Sequence, residues 1–420
     1  MEKRKVLLIC HYSNEDLRSH IDQSPLRRAN ELRRFLKRPD VPNYDVAPWI
    51  ETFIAGIIKH GNNLELHVMT SCVGMRYKRQ DYQSNGVFYH IFNYDLPPFL
   101  KVLDKLCKFA EKTDYMIYRK TMSSIIKDVS PDLIVLSGAE NPEYSYSVLD
   151  HLEIPSLIIL QTLLSSPARI KLNVGSPYRR KIEQEIFKRC RFFTFMENDG
   201  LDIIKSFNPS AKCFDFEFST LSPPNYDITE KQFDFVFVSG ALYKFKGIED
   251  AIKAFGLFCK KYPHTKMDII GTCGASYKTE LDSLIEVLGI SDNVHFEGRY
   301  EDKNDMFRQV QKAKIVLLPG ITAALNTTVR EGMFMRLPII QYETIASRRI
   351  NKHKNCIMTA KMENIDDLAE KMIFLYENPD YAKQMADNGY EYANTHFTAD
   401  AVGKLLVSQI YEVFNTIDDR

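Results

Sequence analysis

The 420-residue sequence has no run of eighteen apolar residues, no Cys-x-x-Cys pair and no net charge. The first absence predicts that no helix crosses a membrane, since about 20 apolar residues are needed to span the hydrocarbon core. The eight scattered cysteines suggest neither a zinc site nor a disulfide framework, so a reducing cytoplasm is expected. Equal numbers of basic and acidic residues, 55 of each, argue against nucleic-acid binding through bulk charge.

The zero net charge hides an asymmetry along the chain. Residues 1–215 hold 31 basic and 26 acidic side chains, whereas the remainder holds 24 and 29. The basic excess of the first half can form a patch that meets an anionic membrane surface or a phosphate. A solvated helix face explains the basic residues equally well. One hypothesis is therefore peripheral attachment of a cytoplasmic protein to the inner face of the membrane. The residues proposed for this contact are Arg27, Arg28, Arg33, Arg34, Lys37 and Arg38.

The chain is too long for one ordinary core, and about 100–200 residues per domain predicts two domains. Short apolar runs alternate with longer helical patterns, which is typical of parallel α/β sheets. In the first half, the predicted strands are KVLLIC, LELHVMT, LIVLSG, SLIILQ and RFFTFM. In the second half, they are FDFVFVSG, HTKMDIIGT, NVHFEG, KIVLLPG, LPIIQY and NCIMTA. Two prolines and several turn formers at residues 217–233 predict an interdomain linker.

An amphipathic helix is predicted to begin at Ser24, and the chain ends in another apolar-periodic helix, ADAVGKLLVSQIYEVFN. For the first helix, Ser24 is expected to act as the cap, with Pro25 in the first turn and Pro39 as the stop. Its predicted apolar face consists of Leu26, Ala29, Leu32, Phe35 and Leu36.

The segment VSGALYKFKGIEDAIKAF is the first that could carry chemistry. A strand ends near Gly240, and Lys246 and Gly247 lead into a helix. Loops at the carboxyl ends of parallel strands are where such sheets bind ligands. Glycine lets a phosphate approach the backbone and Lys246 can neutralise it, although Lys-Gly before a helix is a common pattern.

The segment KIVLLPGITAALNTTVREGMFMRLPII is the second. Asn326, Thr327 and Thr328 lie where a helix should start, and free N–H groups at a helix start can bind a diphosphate. Glu331 follows about one turn later, from where its two oxygens could accept both hydroxyls of a ribose. A capped helix with a surface glutamate explains the pattern equally well.

A third segment, DIIGTCGASYKTEL, places two glycines after a strand. Gly271 and Gly274 could cover a bound nucleotide, and an ordinary turn explains them as well.

Together these segments resemble the C-terminal half of family 4 glycosyltransferases, which have the GT-B fold. EGMFMRLPII resembles the family's E-A-M-A-x-G-x-P-V-I segment, and NTTVREG resembles the N-S-L-x-E-A form of many bacterial surface-polysaccharide enzymes. The similarity covers residues 233–395 and is fainter before them, where IPSLIILQTLLSS resembles I-P-V-V-x-x-Q-G-L-x-S. The resemblance implies two Rossmann-like α/β domains facing across a cleft. These are an acceptor domain at residues 1–218 and a nucleotide-sugar donor domain at residues 219–395, with a helix at residues 396–420 packing back on the first.

The resemblance also implies residue roles. The glutamate that holds the nucleotide ribose maps onto Glu331, the diphosphate lysine maps onto Lys246, and Gln161 takes the place of an acceptor-side histidine. Lys246 and Gln161 are therefore the candidate catalytic residues. The candidate donor-binding residues are Gly240, Lys246, Gly271, Arg299, Asn326, Thr327, Thr328, Arg330 and Glu331.

Three features depart from the family pattern. Ala323 stands where the first motif glutamate contacts the donor sugar, and Ala241 stands where a loop arginine is usual. Lys244 or Arg330 is expected to replace that arginine. The Gly-Gly loop often seen after the first strand is missing from CHYSNED.

The resemblance implies a retaining, metal-independent transfer of sugar from a nucleotide donor to a glycan or lipid-linked glycan acceptor, as in capsule and other surface-polysaccharide biosynthesis. No DxD-like motif ends a strand, which agrees with metal independence, and no cofactor is expected. The donor nucleotide, UDP or GDP, stays open. Two alternatives remain: a nucleotide-sugar-binding subunit without catalysis, favoured by Ala323 and Ala241, and a sugar-nucleotide epimerase of GT-B fold.

Overall fold

The computed structural model describes residues 3–41, 45–47, 49–171, 173–195, 198–321 and 327–419. The chain divides into two compact units. Unit 1 comprises Met1–Phe218 and Val402–Arg420, and unit 2 comprises Ser219–Ala401. Residues 216–232 form neither helix nor strand. Among the described residues, no helix is both long enough and apolar enough to span a membrane.

Unit 1 contains a sheet with strand order β3-β4-β2-β1-β5-β6-β7-β8. Every neighbouring pair is parallel except β3 with β4. The described strands are β1 (Arg4–Cys10), β2 (Leu64–Cys72), β3 (Arg79–Ser84), β4 (Val87–Asn93), β5 (Leu133–Ser137), β6 (Ser156–Ile159), β7 (Phe192–Phe195) and β8 (Lys212–Asp215).

The five strands predicted for the first half are confirmed, whereas β3, β4 and β8 were missed. Asn85 and Gly86, with φ of 50° and 79°, form the turn between β3 and β4. Asn-Gly between two strands is the strongest short-range hairpin signal, because both residues tolerate positive φ. The sequence therefore contained the evidence for this hairpin.

Helices cover both faces of this sheet. Successive residues of β1 point to opposite faces, so that Val6 and Leu8 join one core cluster and Leu7 and Ile9 join another. The described helices of unit 1 before residue 218 are α1 (Glu15–Ser19), α2 (Ser24–Phe35), α3 (Trp49–His60), α4 (Pro98–Cys107), α5 (Phe109–Lys112), α6 (Met116–Val129), α7 (Pro142–Asp150), α8 (Pro167–Lys171), α9 (Pro177–Arg189) and α10 (Asn198–Phe207).

Helix α2 begins at Ser24 as predicted, but two expectations about it are wrong. Ser24 is not the cap. Gln23 occupies that position, but its side chain does not cap the helix and instead donates to the carbonyl oxygen of Val73 at 2.9 Å. Asp22 Oδ1 accepts the Ser24 N–H at 2.8 Å. The predicted apolar face is not buried either. Leu26 is the buried residue of the helix, and its other large apolar side chains are exposed.

Unit 2 contains a parallel sheet with strand order β11-β10-β9-β12-β13-β14. All strands predicted for the second half are confirmed. They are β9 (Phe233–Ala241), β10 (Met267–Thr272), β11 (Val294–Gly298), β12 (Ala313–Leu317), β13 (Ile339–Tyr342) and β14 (Met358–Ala360). The described helices are α11 (Ile248–Cys259), α12 (Ala275–Val287), α13 (Lys303–Val310), α14 (Thr327–Phe334), α15 (Ile345–Ile350), α16 (Ile365–Glu377), α17 (Pro379–His396) and α18 (Ala399–Asp418), the last of which runs from unit 2 into unit 1.

The part of α18 in unit 1 packs closely on α3. A Cβ added to Gly56 would lie 2.3 Å from the Cα of Gly403, so the two helix backbones meet without intervening side chains. Val402 and Leu406 join the core cluster that covers one face of the first sheet. The last helix therefore completes the core of unit 1.

Candidate functional site

The chain changes direction across the second sheet at β9. It passes through α11 to β10 on one side of β9, and after β11 it returns to β12 on the other side. The carboxyl ends of β9 and β12 thus flank a topological switch point, which is where doubly wound sheets bind ligands. The predicted segments around Lys246 and Glu331 follow these two strands.

The loops after β9 and β12 pack on each other through Gly247. This residue has φ of 82°, and a Cβ added to it would lie 1.9 Å from the carbonyl oxygen of Pro319. The N–H of Ile321 donates to the carbonyl oxygen of Phe245 at 3.2 Å. Glycine is required here by close backbone contact, and this contact sets Lys246 beside the segment that leads to α14.

Cations cluster in the turn between β9 and α11. A short 3-10 turn, Lys244–Lys246, contains the predicted lysine, which is half-buried with its Nζ 5.5 Å from the centre of the Phe245 ring. Lys244 is largely exposed, and its Nζ lies 3.5 Å from Glu249 Oε2. Ala241 ends β9, so the turn presents lysines where the family pattern has an arginine and a lysine.

The predicted glycines have different surroundings. A Cβ on Gly240 or on Gly274 would have no neighbouring atom within 4 Å, so open space borders both backbones. Gly271, by contrast, has φ of 142°, and its Cβ would lie 2.1 Å from the carbonyl oxygen of Ser239. The packing of β10 on β9 therefore accounts for Gly271 without any ligand.

Helix α14 begins at Thr327, where the sequence predicts a helix start. Thr327 is exposed and Thr328 is half-buried, both in the first turn, whose N–H groups lack partners within the helix. Asn326, also expected to bind the donor, and Ala323 lie outside the described residues. The described part of the helix start offers the hydroxyls and the backbone N–H groups of Thr327 and Thr328 to an anion.

Glu331 lies in the second turn of α14 and is buried, contrary to the alternative of a surface glutamate. The Nζ of Lys303, the first residue of α13, lies 2.6 Å from Glu331 Oε1. Burial raises the pKa of Glu331, while Lys303 and Arg330 lower it. The sequence contained no sign that Lys303 would reach this carboxylate from another helix.

The two arginines expected on the donor side lie in different surroundings. Arg330 is buried with its guanidinium 5.5 Å from the centre of the Phe397 ring, and burial lowers its pKa to about 10 against the opposing effect of Glu331. Arg299 is exposed directly after β11, the edge strand next to β10.

Gln161, the second candidate catalytic residue, lies in unit 1 after β6. Its Nε2 donates to Ser137 Oγ at 2.5 Å, and Ser137 is the last residue of the neighbouring strand β5. Both side chains thus lie at the carboxyl edge of the first parallel sheet. Lys246 belongs to unit 2.

Sequence reasoning missed a buried carboxyl at the same edge of the first sheet. Glu140 is 3% exposed, and burial raises its pKa to about 7, with a further rise from Glu183 and a lowering by Arg179. Its Oε2 has no hydrogen-bond partner among the described residues. An acidic residue shortly after a buried strand, as in LIVLSGAEN, was the available signal.

Comparisons with known proteins agree with this geometry. Residues 221–392 match the family model of glycosyl transferases group 1. An uncharacterised glycosyltransferase of Haemophilus influenzae is 23% identical over 313 residues, which is 69% of this chain and 81% of the relative.

Two solved structures share the fold over almost the whole chain. Sucrose-phosphate synthase from Thermosynechococcus elongatus has a TM-score of 0.63 at 12% identity, covering 99% of this chain and 100% of that one. HepE of Anabaena, solved in complex with UDP and glucose, has a TM-score of 0.60 at 13% identity, with 98% and 100% covered. These likenesses confirm the predicted GT-B fold, and with the family match they support a glycosyltransferase.

Proposed function

We propose that this GT-B protein transfers a sugar from a nucleotide donor to a hydroxyl of a glycan or lipid-linked glycan, in the biosynthesis of a surface polysaccharide such as a capsule. The observation that carries the proposal is the packing of the Lys246 turn against the segment leading to α14, at the switch point of the sheet. HepE, which shares the fold, was solved with UDP and glucose bound, and this favours UDP as the donor nucleotide.

The donor would bind at the carboxyl edge of the second sheet. Lys246 and the N–H groups at the start of α14 would hold the diphosphate and stabilise the negative charge that grows on it as the sugar leaves. Glu331 would accept the ribose hydroxyls, with its carboxylate oriented by Lys303, whose charge favours the ionised form. Open space beside Gly240 leaves room for the donor to approach the backbone.

The proposed reaction retains the configuration of the transferred sugar and uses no metal. As the family resemblance implies, it needs no protein nucleophile. Lys246 and the helix start would stabilise the leaving diphosphate, and positioning of the two substrates would supply a large share of the rate. Gln161, held by Ser137, would bind the acceptor on unit 1. The resemblance of the segment IPSLIILQTLLSS to the acceptor-side loop of the family supports this assignment.

A panel of UDP- and GDP-sugars tests the proposal, with donor hydrolysis and transfer to soluble glycan acceptors both measured. We expect turnover of one donor class, unchanged by EDTA, with the anomeric configuration retained by NMR. Lys246→Ala should reduce turnover strongly. Lys260→Ala should not, because Lys260 is exposed at the other end of α11. No turnover of any donor would contradict the proposal.

One observation favours a second candidate, a nucleotide-sugar-binding subunit without catalysis. Ala241 at the end of β9 removes half of the family's cationic pair, and Ala323 replaces the glutamate that contacts the donor sugar. Nucleotide-sugar binding by calorimetry without hydrolysis or transfer would favour this candidate over the enzyme.

Peripheral association with an anionic membrane is a further part of the proposal. A lipid-linked acceptor lies at the membrane, and the basic residues of α2 and of the segment after it would be attracted to acidic lipids. The exposure of these residues supports the contact, since Arg27, Arg28 and Arg34 are all at the surface.

A further inference from the structure

Helix α2 exposes large apolar side chains that a soluble surface does not need. Leu32, Phe35 and Leu36 are 59%, 84% and 50% exposed. Their spacing of three and four residues places them on one face of the helix. Singly exposed apolar residues are ordinary, but a helical stripe that includes an almost fully exposed phenylalanine indicates an interaction surface.

Helix α4 repeats the arrangement. Phe99, Val102 and Leu106 are 72%, 58% and 77% exposed at the spacing of a second helical stripe. Leu100 on the same helix packs against the core of unit 1. Helix α4 is thus apolar on two sides, and the core covers one of them.

The two helices begin beside the same loop. Gly74 in this loop would bring an added Cβ within 2.4 Å of the Leu26 Cβ in α2. The Gly74 N–H donates to Asp95, and the other carboxylate oxygen of Asp95 pairs with Lys101 in α4. One continuous set of contacts therefore links the first turns of α2 and α4 through this loop.

Positive charge surrounds both stripes. Among the described residues, Arg28, Lys37, Arg38 and Lys105 have no acidic partner, and all four are exposed. Acidic side chains beside the two helices are paired with cations: Asp22 with Arg27, Asp40 with Arg34, and Asp95 with Lys101. Glu31 is exposed on α2, and the carboxylate of Asp104 on α4 is half-buried and accepts the N–H of Ala110.

We propose that α2 and α4 together form a docking surface for an anionic phospholipid bilayer, with Phe35, Leu36, Phe99 and Leu106 inserted among the lipids. Amphipathic helices with aromatic and leucine side chains on one side and lysine or arginine beside them lie in this way at the bilayer interface. A protein partner with an apolar groove would match the apolar residues but would leave the surrounding positive charge without a role. The purpose of this surface would be to bring the transferase to a lipid-borne acceptor, and this part of the inference rests on the proposed function.

Vesicle sedimentation tests the surface with the full chain. The probes are vesicles of phosphatidylcholine alone and of phosphatidylcholine mixed with phosphatidylglycerol. We expect binding to the mixed vesicles, weakened by salt but not abolished, because salt screens charges and does not weaken apolar insertion. The double variants Phe35→Ser/Leu36→Ser and Phe99→Ser/Leu106→Ser should each reduce binding about tenfold or more. Val287→Ser is the matched control, since Val287 is 84% exposed on α12 of unit 2.

A fluorescence experiment reports insertion even if a serine variant folds poorly. Trp49 is the single tryptophan of the chain, so a Trp49→Phe background carrying Phe99→Trp has one reporter on the proposed surface. Its emission should shift to shorter wavelength with mixed vesicles. Val287→Trp in the same background should not shift.

Several results would overturn the inference. These are no vesicle binding by the natural chain, serine variants that bind as well as it does, or an unshifted Phe99→Trp. Concentration-dependent self-association that disappears in the serine variants, without vesicle binding, would instead identify a second copy as the occupant. Transfer to a soluble acceptor should be unchanged in the serine variants. Vesicle binding without any transfer activity would leave the surface standing and contradict the proposed function.

Discussion

The Nζ of Lys303 lies 2.6 Å from Oε1 of Glu331, so the carboxylate that we assign to ribose also forms an ion pair with another helix. Glu331 is 4% exposed, and an isolated carboxylate at such a site would be costly to ionise. Lys303 offsets this cost and fixes one oxygen of the carboxylate. Nucleotide affinity should therefore depend on a residue that the family resemblance does not identify.

Lys303→Ala should weaken nucleotide binding, and more so at low pH. Burial raises the pKa of Glu331 and Lys303 lowers it, so removal of the lysine raises that pKa further and protonates the carboxyl at a higher pH. Calorimetric titration with UDP across the mildly acidic to neutral range measures the effect. Lys314→Ala is the control, because Lys314 forms a comparable pair with Asp234 at 2.8 Å. Parallel pH profiles for Lys303→Ala and the natural chain would contradict this role.

Glu331→Ala should impair nucleotide-sugar binding, because each charged hydrogen bond lost to ribose costs about 1.5–3 kcal/mol. Glu391→Ala serves as the control, since Glu391 pairs with Lys354 on the surface of the same unit. Unchanged nucleotide affinity in a folded Glu331→Ala variant would refute the ribose assignment.

Lys246→Ala should weaken the binding of a nucleoside diphosphate more than that of the nucleoside. The turn that contains Lys246 packs against the loop after β12, so its charge lies at the edge where the diphosphate is proposed to bind. Competition assays with UDP and uridine compare the two losses, and Lys260→Ala controls for the removal of an exposed charge. Equal losses for the two ligands would argue against a phosphate contact.

Ala323→Glu should not increase transfer with the best donor of the panel. In the resembling family a glutamate here holds donor hydroxyls, and a buried hydroxyl left unpaired costs about 1–3 kcal/mol. We expect another residue, such as Thr327, to supply that contact, or a donor with a deoxy or acylated position. Steady-state rates of the two proteins decide the matter. A large gain in Ala323→Glu would mark the natural chain as a decayed enzyme and favour the binding-subunit candidate.

Compared with the natural chain, Glu140→Gln should increase the stability of unit 1 more at alkaline pH than at acidic pH. Burial raises the pKa of Glu140 from 4.5 to about 7, so the folded chain binds more protons than the unfolded chain between these values. The contribution of this group to stability is therefore present below pH 4.5 and is lost as the pH rises through 7, by about 3 kcal/mol at most. Urea unfolding at both ends of this range measures it, with exposed Glu286→Gln as the control. The same pH dependence in Glu140→Gln and the natural chain would contradict the prediction.

Much of the fold followed from patterns within single segments. Strands buried on both faces of a parallel sheet appear as short apolar runs, which is why the central strands of unit 2, β9, β10, β12 and β13, could be placed. One of the missed strands is of another kind. In β3, RQDYQS, no residue is fully buried, and the polar composition does not indicate a strand. The sequence signal for this strand is the Asn-Gly turn that follows it.

The candidate site also combines features that follow from neighbours in sequence with features that depend on tertiary packing. The positions of Lys246 after a strand and of Glu331 one turn into a helix depend on neighbours in sequence, and the structure places both as expected. The reason for Gly271 did not follow from its motif, because it lies in the contact between two strands. Arg330 was expected to face a donor, and its burial against Phe397 depends on a residue far along the chain.

The sequence by itself determined the alternation of strands and helices, the family resemblance and the residue types at the two switch-point loops, because each depends on local periodicity or spacing. Only the tertiary structure decided that Lys303 pairs with Glu331, that Glu140 loses its contact with water, and that the apolar side of α2 stays exposed. Each of these outcomes depends on which segments, distant in sequence, come to pack against one another. Burial and ion pairing are properties of that packing, and a helical stripe in a sequence looks the same whether a core covers it or not.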